Sequence, residues 1–135
     1  MSAYNLLKYL EKEGFGTDGI DLFVNFKPHL PDNCIIFYDE SATPPPESSG
    51  LSVDIFGIQI IVRNTNQFTA ENISKLINKK IVGFGGISLI TGGDIVSQIN
   101  QVTAPFSIGK DDNDRNEWSS HYTIRMTSEN NTFRL

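Results

Sequence analysis

Between Glu117 and Thr127 apolar and polar residues alternate more regularly than anywhere else in the chain. Trp118, Ser120, Tyr122, Ile124 and Met126 fall on one side, and Glu117, Ser119, His121, Thr123 and Arg125 on the other. That period of two predicts an amphipathic strand with one wet or interface-forming face. The stretch from Leu51 to Arg63 has the same period but is apolar on both sides. Phe56, Ile58, Ile60 and Val62 share one face, and Val53, Ile55 and Ile61 the other. One face is expected against helices and the other against a neighbouring surface, with Gly57 marking a bulge or a close backbone approach. Cys34 to Tyr38 is apolar on both faces for most of its length, as in a buried central strand. Shorter strands are predicted over Leu22–Phe26, Ile87–Ile90 and Ile95–Val102, the last ended by Pro105, with Phe106 and Ile108 packing near its end.

Two segments carry the helical period instead. Residues 3–13 place Leu6, Leu7 and Leu10 on one stripe with Lys8, Glu11 and Lys12 largely opposite, and Gly14 or Gly16 ends the helix. Further on, Ile73, Leu76, Ile77 and Ile81 recur at helical spacing. Thr69 is the expected N-cap, Glu71 falls in the first turn, and Gly83–Gly86 closes the helix. Turns are predicted between Pro28 and Pro31, over Asn64–Gln67, at Thr91–Asp94 and over Lys110–Asn116, and residues 128–135 read as a loose tail. The order is helix, two strands, loop, long strand, helix, three strands. It predicts one α+β domain over residues 1–135: a mostly antiparallel sheet with two helices packed on one face.

A long projecting loop interrupts that pattern. After the strand at Cys34–Tyr38 the chain reads DESATPPPESS. Proline lacks an N–H and fixes φ, so Pro44, Pro45 and Pro46 cannot join a ladder and should leave the surface as a stiff projection.

Charge and composition narrow the function. With 11 basic and 16 acidic residues the net charge is −5, which disfavours phosphate recognition by a basic face. The one basic pair, Lys79-Lys80, ends a helix, where the dipole favours cations. No apolar run approaches the length of a membrane helix, and the N-terminus lacks the features of a signal peptide. Cys34 is the only cysteine, so an internal disulfide and a Cys-rich metal site are both excluded. His29 and His121 stand in different environments and do not form a zinc set. Asp111, Asp112 and Asp114 miss the spacing of a calcium loop, and the glycines of GFGG follow a helix rather than precede one. No nucleophile motif, phosphate loop or catalytic carboxylate pair is present. No enzyme activity, cofactor or metal is therefore expected.

Three passages carry a family resemblance: EGFGTDGIDLFVNFKPHLPDNCIIFYDE behind the first helix, the proline loop with GLSVDIFGIQIIVRN and a helix after it, and the C-terminal hairpin PFSIGKDDNDRNEWSSHYTIRM. Together they resemble the minor capsid or tail terminator proteins of long-tailed bacteriophages, over nearly the whole chain. The Gly-rich GFGGISLITGGDI departs from the looser turn expected of the family. The resemblance implies a structural virion protein, made in the host cytoplasm, that sits at the head–tail junction. It implies a ring, usually a hexamer, on the capsid-proximal end of the tail tube. The ring stops tube polymerisation and provides the head-joining interface. Its implied partners are further copies of itself, the major tail tube protein and a head–tail connector or head-completion protein, with no sequence-specific nucleic acid and no membrane. The residues expected at contacts are Pro44, Pro45, Pro46 and Glu47 in the loop, Ile55 and Ile61 on the second face of the long strand, and Asp112, Asp114 and Arg115 in the last turn. The alternative readings are a small α+β binding or regulatory module and another neck protein such as a head-completion protein.

Overall fold

A computed structural model of the chain describes residues 3–40, 53–82, 87–88 and 95–127. Its elements are α1 (Ala3–Lys12), β1 (Leu22–Val24), β2 (Cys34–Glu40), β3 (Val53–Asn64), α2 (Gln67–Ile81), β4 (Ile87–Ser88), β5 (Ile95–Lys110) and β6 (Asn116–Thr127). The strands form a single six-stranded sheet in the order β1-β2-β3-β6-β5-β4. Every pairing is antiparallel except β1 with β2.

Both helices lie on one face, as the periodicities require. Leu6, Leu7 and Leu10 of α1 and Ala70, Ile77 and Ile81 of α2 are fully buried. They pack into one cluster with Ile35, Phe37, Ile58, Ile60, Val62, Tyr122 and Ile124 from the sheet. Full burial of each large aliphatic side chain contributes about 1.5–3 kcal/mol, so this layer is the main source of stability. Tyr122 brings a hydroxyl into it, and Asn78 of α2 donates to that oxygen at 3.0 Å. At the end of α1 the chain turns through Gly14 at φ 92°, and Phe15 N–H closes on the Leu10 carbonyl at 3.0 Å.

Several boundaries differ from the sequence expectation. The N-cap of α2 is Asn66, not Thr69: the Asn66 side chain accepts from the N–H groups of Phe68 and Thr69, so the helix starts earlier. Glu71 therefore lies beyond the first turn, where it pairs with Lys75 at 2.6 Å. The buried face runs through Ala70, Ser74, Ile77 and Ile81, and Leu76, off its centre, is 48% exposed. Gly57 makes no bulge: the β3–β6 register runs through it unbroken at Thr123, and it forms the last pair of the β2–β3 ladder, with Glu40. Pro105 does not end β5. It falls between Thr103 and Phe106, where the β5–β6 register shifts, and an irregular strand with no outer partner there among the described residues tolerates the missing N–H.

The parallel pair sets up the rest. Parallel neighbours need a crossover, and here residues 25–33 provide it without a helix. Because β1 has three residues, about 10 Å of strand, a short return suffices. Asn25 starts it at φ 53°, with its N–H on the Phe37 carbonyl and its side chain bridging Asp39 in both directions. Asp39 also accepts from the N–H of Ala3 at 2.6 Å, which ties the start of α1 to the same corner.

Candidate functional site

The helix-free face of the sheet is where the chain departs from simple core packing. Near β1 and β2 it carries a small second cluster of Cys34, Ile36 and Ile61, with Phe23 and Tyr38 packed against it. Burial pushes the Cys34 thiol and the Tyr38 phenol up from their ordinary pKa values.

At one end of this face two arginines are taken out of water. Arg63 is 1% exposed and Arg115 is 5% exposed. Arg63 donates from Nη2 to the Pro31 carbonyl at 2.6 Å and from Nε to the Asp32 carbonyl at 3.2 Å. Arg115 donates to the His29 carbonyl and, at 2.8 Å, to Asp111 Oδ2. Lys27 Nζ stands 2.6 Å from Glu117 Oε2, a charge contact whose alignment is not that of a hydrogen bond. The Asn33 side chain accepts from Thr65 N–H at 3.0 Å. A crossover with no secondary structure of its own is thus fastened to β3 and to the start of β6. Buried cations need such partners, because an unpaired charge in the interior costs several kcal/mol. The fastened loop displays Phe26 and Leu30, 61% and 65% exposed.

Next to this end the face is polar. Gln59 Nε2 donates to Ser119 Oγ at 3.0 Å, and His121 Nδ1 lies 2.9 Å from Glu40 Oε1. Ser119 Oγ is 3.4 Å from His121 Nε2, so Ser119, His121 and Glu40 stand in the order of a hydrolase triad. The chemistry does not follow from the order. Ser119 is 1% exposed and sits within the β6 ladder opposite Ile61, not on an exposed strand-to-helix turn. The group reads as a cross-strand polar network between β2, β3 and β6. Among the described residues no three His, Cys, Asp or Glu side chains are grouped as metal ligands, and no helix is long and apolar enough to cross a membrane.

The β5–β6 turn is built around Asp111. Its carboxylate accepts from the N–H groups of Asn113 and Arg115 and from the Arg115 guanidinium. Burial works to raise the Asp111 pKa, but these donors outweigh it and hold the carboxyl below its usual value. Asp114 sits at φ 61° with its side chain 84% exposed, 3.2 Å from Lys110 Nζ.

The residues expected at contacts fall into three groups. Asp112 and Asp114 stand exposed on the β5–β6 turn. Ile61 and Arg115 are buried within their own chain: Ile61 lies in the second cluster, and Arg115 turns inward to hold the crossover. They support the surface from beneath. Ile55 occupies a β3 position opposite Arg125, while Pro44, Pro45, Pro46 and Glu47 lie outside the described residues. Sequence reasoning missed the Arg63 clamp and the Glu40–His121 pair. Arg63 bonds backbone carbonyls, which no residue type announces. Glu40 meets His121 only because β3 lies between β2 and β6.

The site therefore defines a class of sheet protein that displays a secured, apolar-tipped crossover and an acidic turn on a buried scaffold. The family comparison gives that class its particular form. The chain belongs to the bacteriophage tail terminator protein family, whose profile matches residues 9–128. It is a structural component of the phage tail. No curated protein matches the sequence.

Proposed function

We propose that the protein closes the capsid-proximal end of the tail tube as a ring, hexameric in order, that stops tube polymerisation and forms the surface to which the head is joined. Its partners are further copies of itself, the major tail tube protein and a head–tail connector or head-completion protein. It acts at the neck of the virion without catalysis, cofactor, membrane or sequence-specific nucleic acid. The observation that carries this reading is the family match across residues 9–128. The geometry is compatible with it. A ring subunit needs two unlike lateral surfaces and projections along the ring axis. The turn bearing Asp112 and Asp114 is assigned to axial contacts, as is, from its sequence alone, the segment with Pro44, Pro45, Pro46 and Glu47, and the second face of β3 around Ile55 to a lateral one. Ile61 and Arg115 brace them from within. A net charge of −5 lets a ring surround DNA without retaining it.

Purified protein mixed with polymerising tail tube protein tests this. The expected result in electron micrographs is tubes of limited length with a ring of density on one end. Tubes that lengthen as they do without it, with bare ends, would refute the reading.

A further inference from the structure

The two edges of the sheet are unlike each other, and each displays apolar side chains that nothing in the described structure covers. At one edge, Ile20 and Phe26 bracket β1 and are 66% and 61% exposed. Phe26 is braced edge-on by Phe23, ring centroids 6.2 Å apart, and its loop is held by the buried Arg63. At the other edge, β4 pairs with β5 only at Ile95 and Val96. Among the described residues, the outer side of β5 from Gln98 to Lys110 has no partner strand. There Val102, Phe106 and Ile108 are 62%, 42% and 46% exposed.

Soluble proteins guard a long edge with charge. This one carries no Lys, Arg, Asp or Glu from Ile95 to Gly109. Its register shifts and Pro105 limit indiscriminate pairing but leave the apolar side chains in place. We infer that the β1 edge of one copy, through Ile20 and Phe26, seats against the β5 edge of the next copy, through Val102, Phe106 and Ile108, as a lateral contact of the ring beside the second face of β3. The inference rests on the ring reading above and specifies its contact.

Three arguments choose a second copy as occupant. Unlike patches on opposite edges of one sheet make a head-to-tail contact, which propagates to closure, whereas a patch that pairs with itself stops at a dimer. In a chain of net charge −5, copies repel across most of their surfaces, and the β5 edge, uncharged from Ile95 to Gly109, is where a second copy can approach. Finally, thirteen residues of strand span about 40 Å. The opposing stretch from Ile20 to Phe26 covers only about 20 Å of it, a contact below the standard size that suits copies assembling on the tube rather than in solution.

Cross-linking tests it directly. Cys34 is the chain's only cysteine, and it is 4% exposed with its thiol pKa raised by burial, so it stays inert. Phe26→Cys and Ile108→Cys are changed together and separately, incubated with tail tube protein and mildly oxidised. The expected result is a ladder of covalent multimers from the double variant and monomers from each single variant. A covalent dimer from Ile108→Cys alone would show β5 paired with β5 and overturn the inference. So would the absence of a ladder from a double variant that still caps tubes. A ladder without capped tubes would leave the edge contact standing and remove the terminator reading, so the two failures are distinct.

Discussion

Replacing Arg63 with methionine isolates what the buried guanidinium does. It makes two charge-assisted hydrogen bonds, to the carbonyls of Pro31 and Asp32, each contributing about 1.5–3 kcal/mol. The resulting sum of about 3–6 kcal/mol is an upper bound, because methionine avoids the desolvation of a cation that is 1% exposed. The acceptors decide the balance. They are backbone carbonyls of a loop without its own secondary structure, so they can return to water if the crossover lifts away. The net effect is a local opening made easier by about 2–3 kcal/mol, while a domain of this length, stable by roughly 7–20 kcal/mol, stays folded. Cys34 reports the opening, because it follows the crossover directly and is buried. Its labelling by a thiol reagent in native buffer is expected to speed up about 30- to 150-fold in Arg63→Met, with the far-UV spectrum unchanged. Arg63→Lys keeps the charge but loses the fork and falls between. A labelling rate within about threefold of the wild type would refute the clamp.

Three further outcomes follow from the same structure. Asn66→Ala removes the acceptor for two N–H groups at the start of α2 and is expected to lower stability by about 1 kcal/mol, read as a few degrees in Tm by calorimetry; an unchanged Tm would return the cap to another residue. The Asp111 carboxyl is held below its ordinary pKa in the folded state, so its contribution is present above the usual aspartate value near ~3.9 and is lost as pH falls below that toward the depressed value. The Tm gap between wild type and Asp111→Asn should accordingly narrow between about pH 5 and pH 3, and a gap constant with pH would contradict the assignment. Replacing Pro44, Pro45 and Pro46 with glycines should leave the thermal transition in place and weaken tube capping, measured by counting capped ends; equal capping would remove the loop from the contact.

Much of the scaffold was legible because its signals are periodic. The alternation around Trp118, Tyr122 and Ile124 placed β6 and its inner face, and the doubly apolar β2 divides into Ile35 and Phe37 on one side and Cys34 and Ile36 on the other. What escaped is long-range. Arg63 reads as the last residue of a strand, and only the return of residues 25–33 supplies its partners. Pro105 reads as a terminator because local sequence does not tell an edge strand from a central one. Leu76 matches the helical period, but the inner face of α2 is set by where the helix crosses β3, β5 and β6, which leaves it outside. Exposure was legible at the acidic turn, where Asp112 and Asp114 stand out from the surface. It was not legible at Ile61 and Arg115, both buried in their own chain, because residue type alone does not show which polar or apolar group the chain will cover with itself.

All four register shifts of the sheet's interior lie between β5 and β6, and the pairings of β3 with β2 and β6 have none. A residue gained or lost in β3 would turn every following side chain to the wrong side, whereas β5 already absorbs such slips. Evolution can therefore revise this side of the sheet, one residue at a time, while the three middle strands hold their alignment.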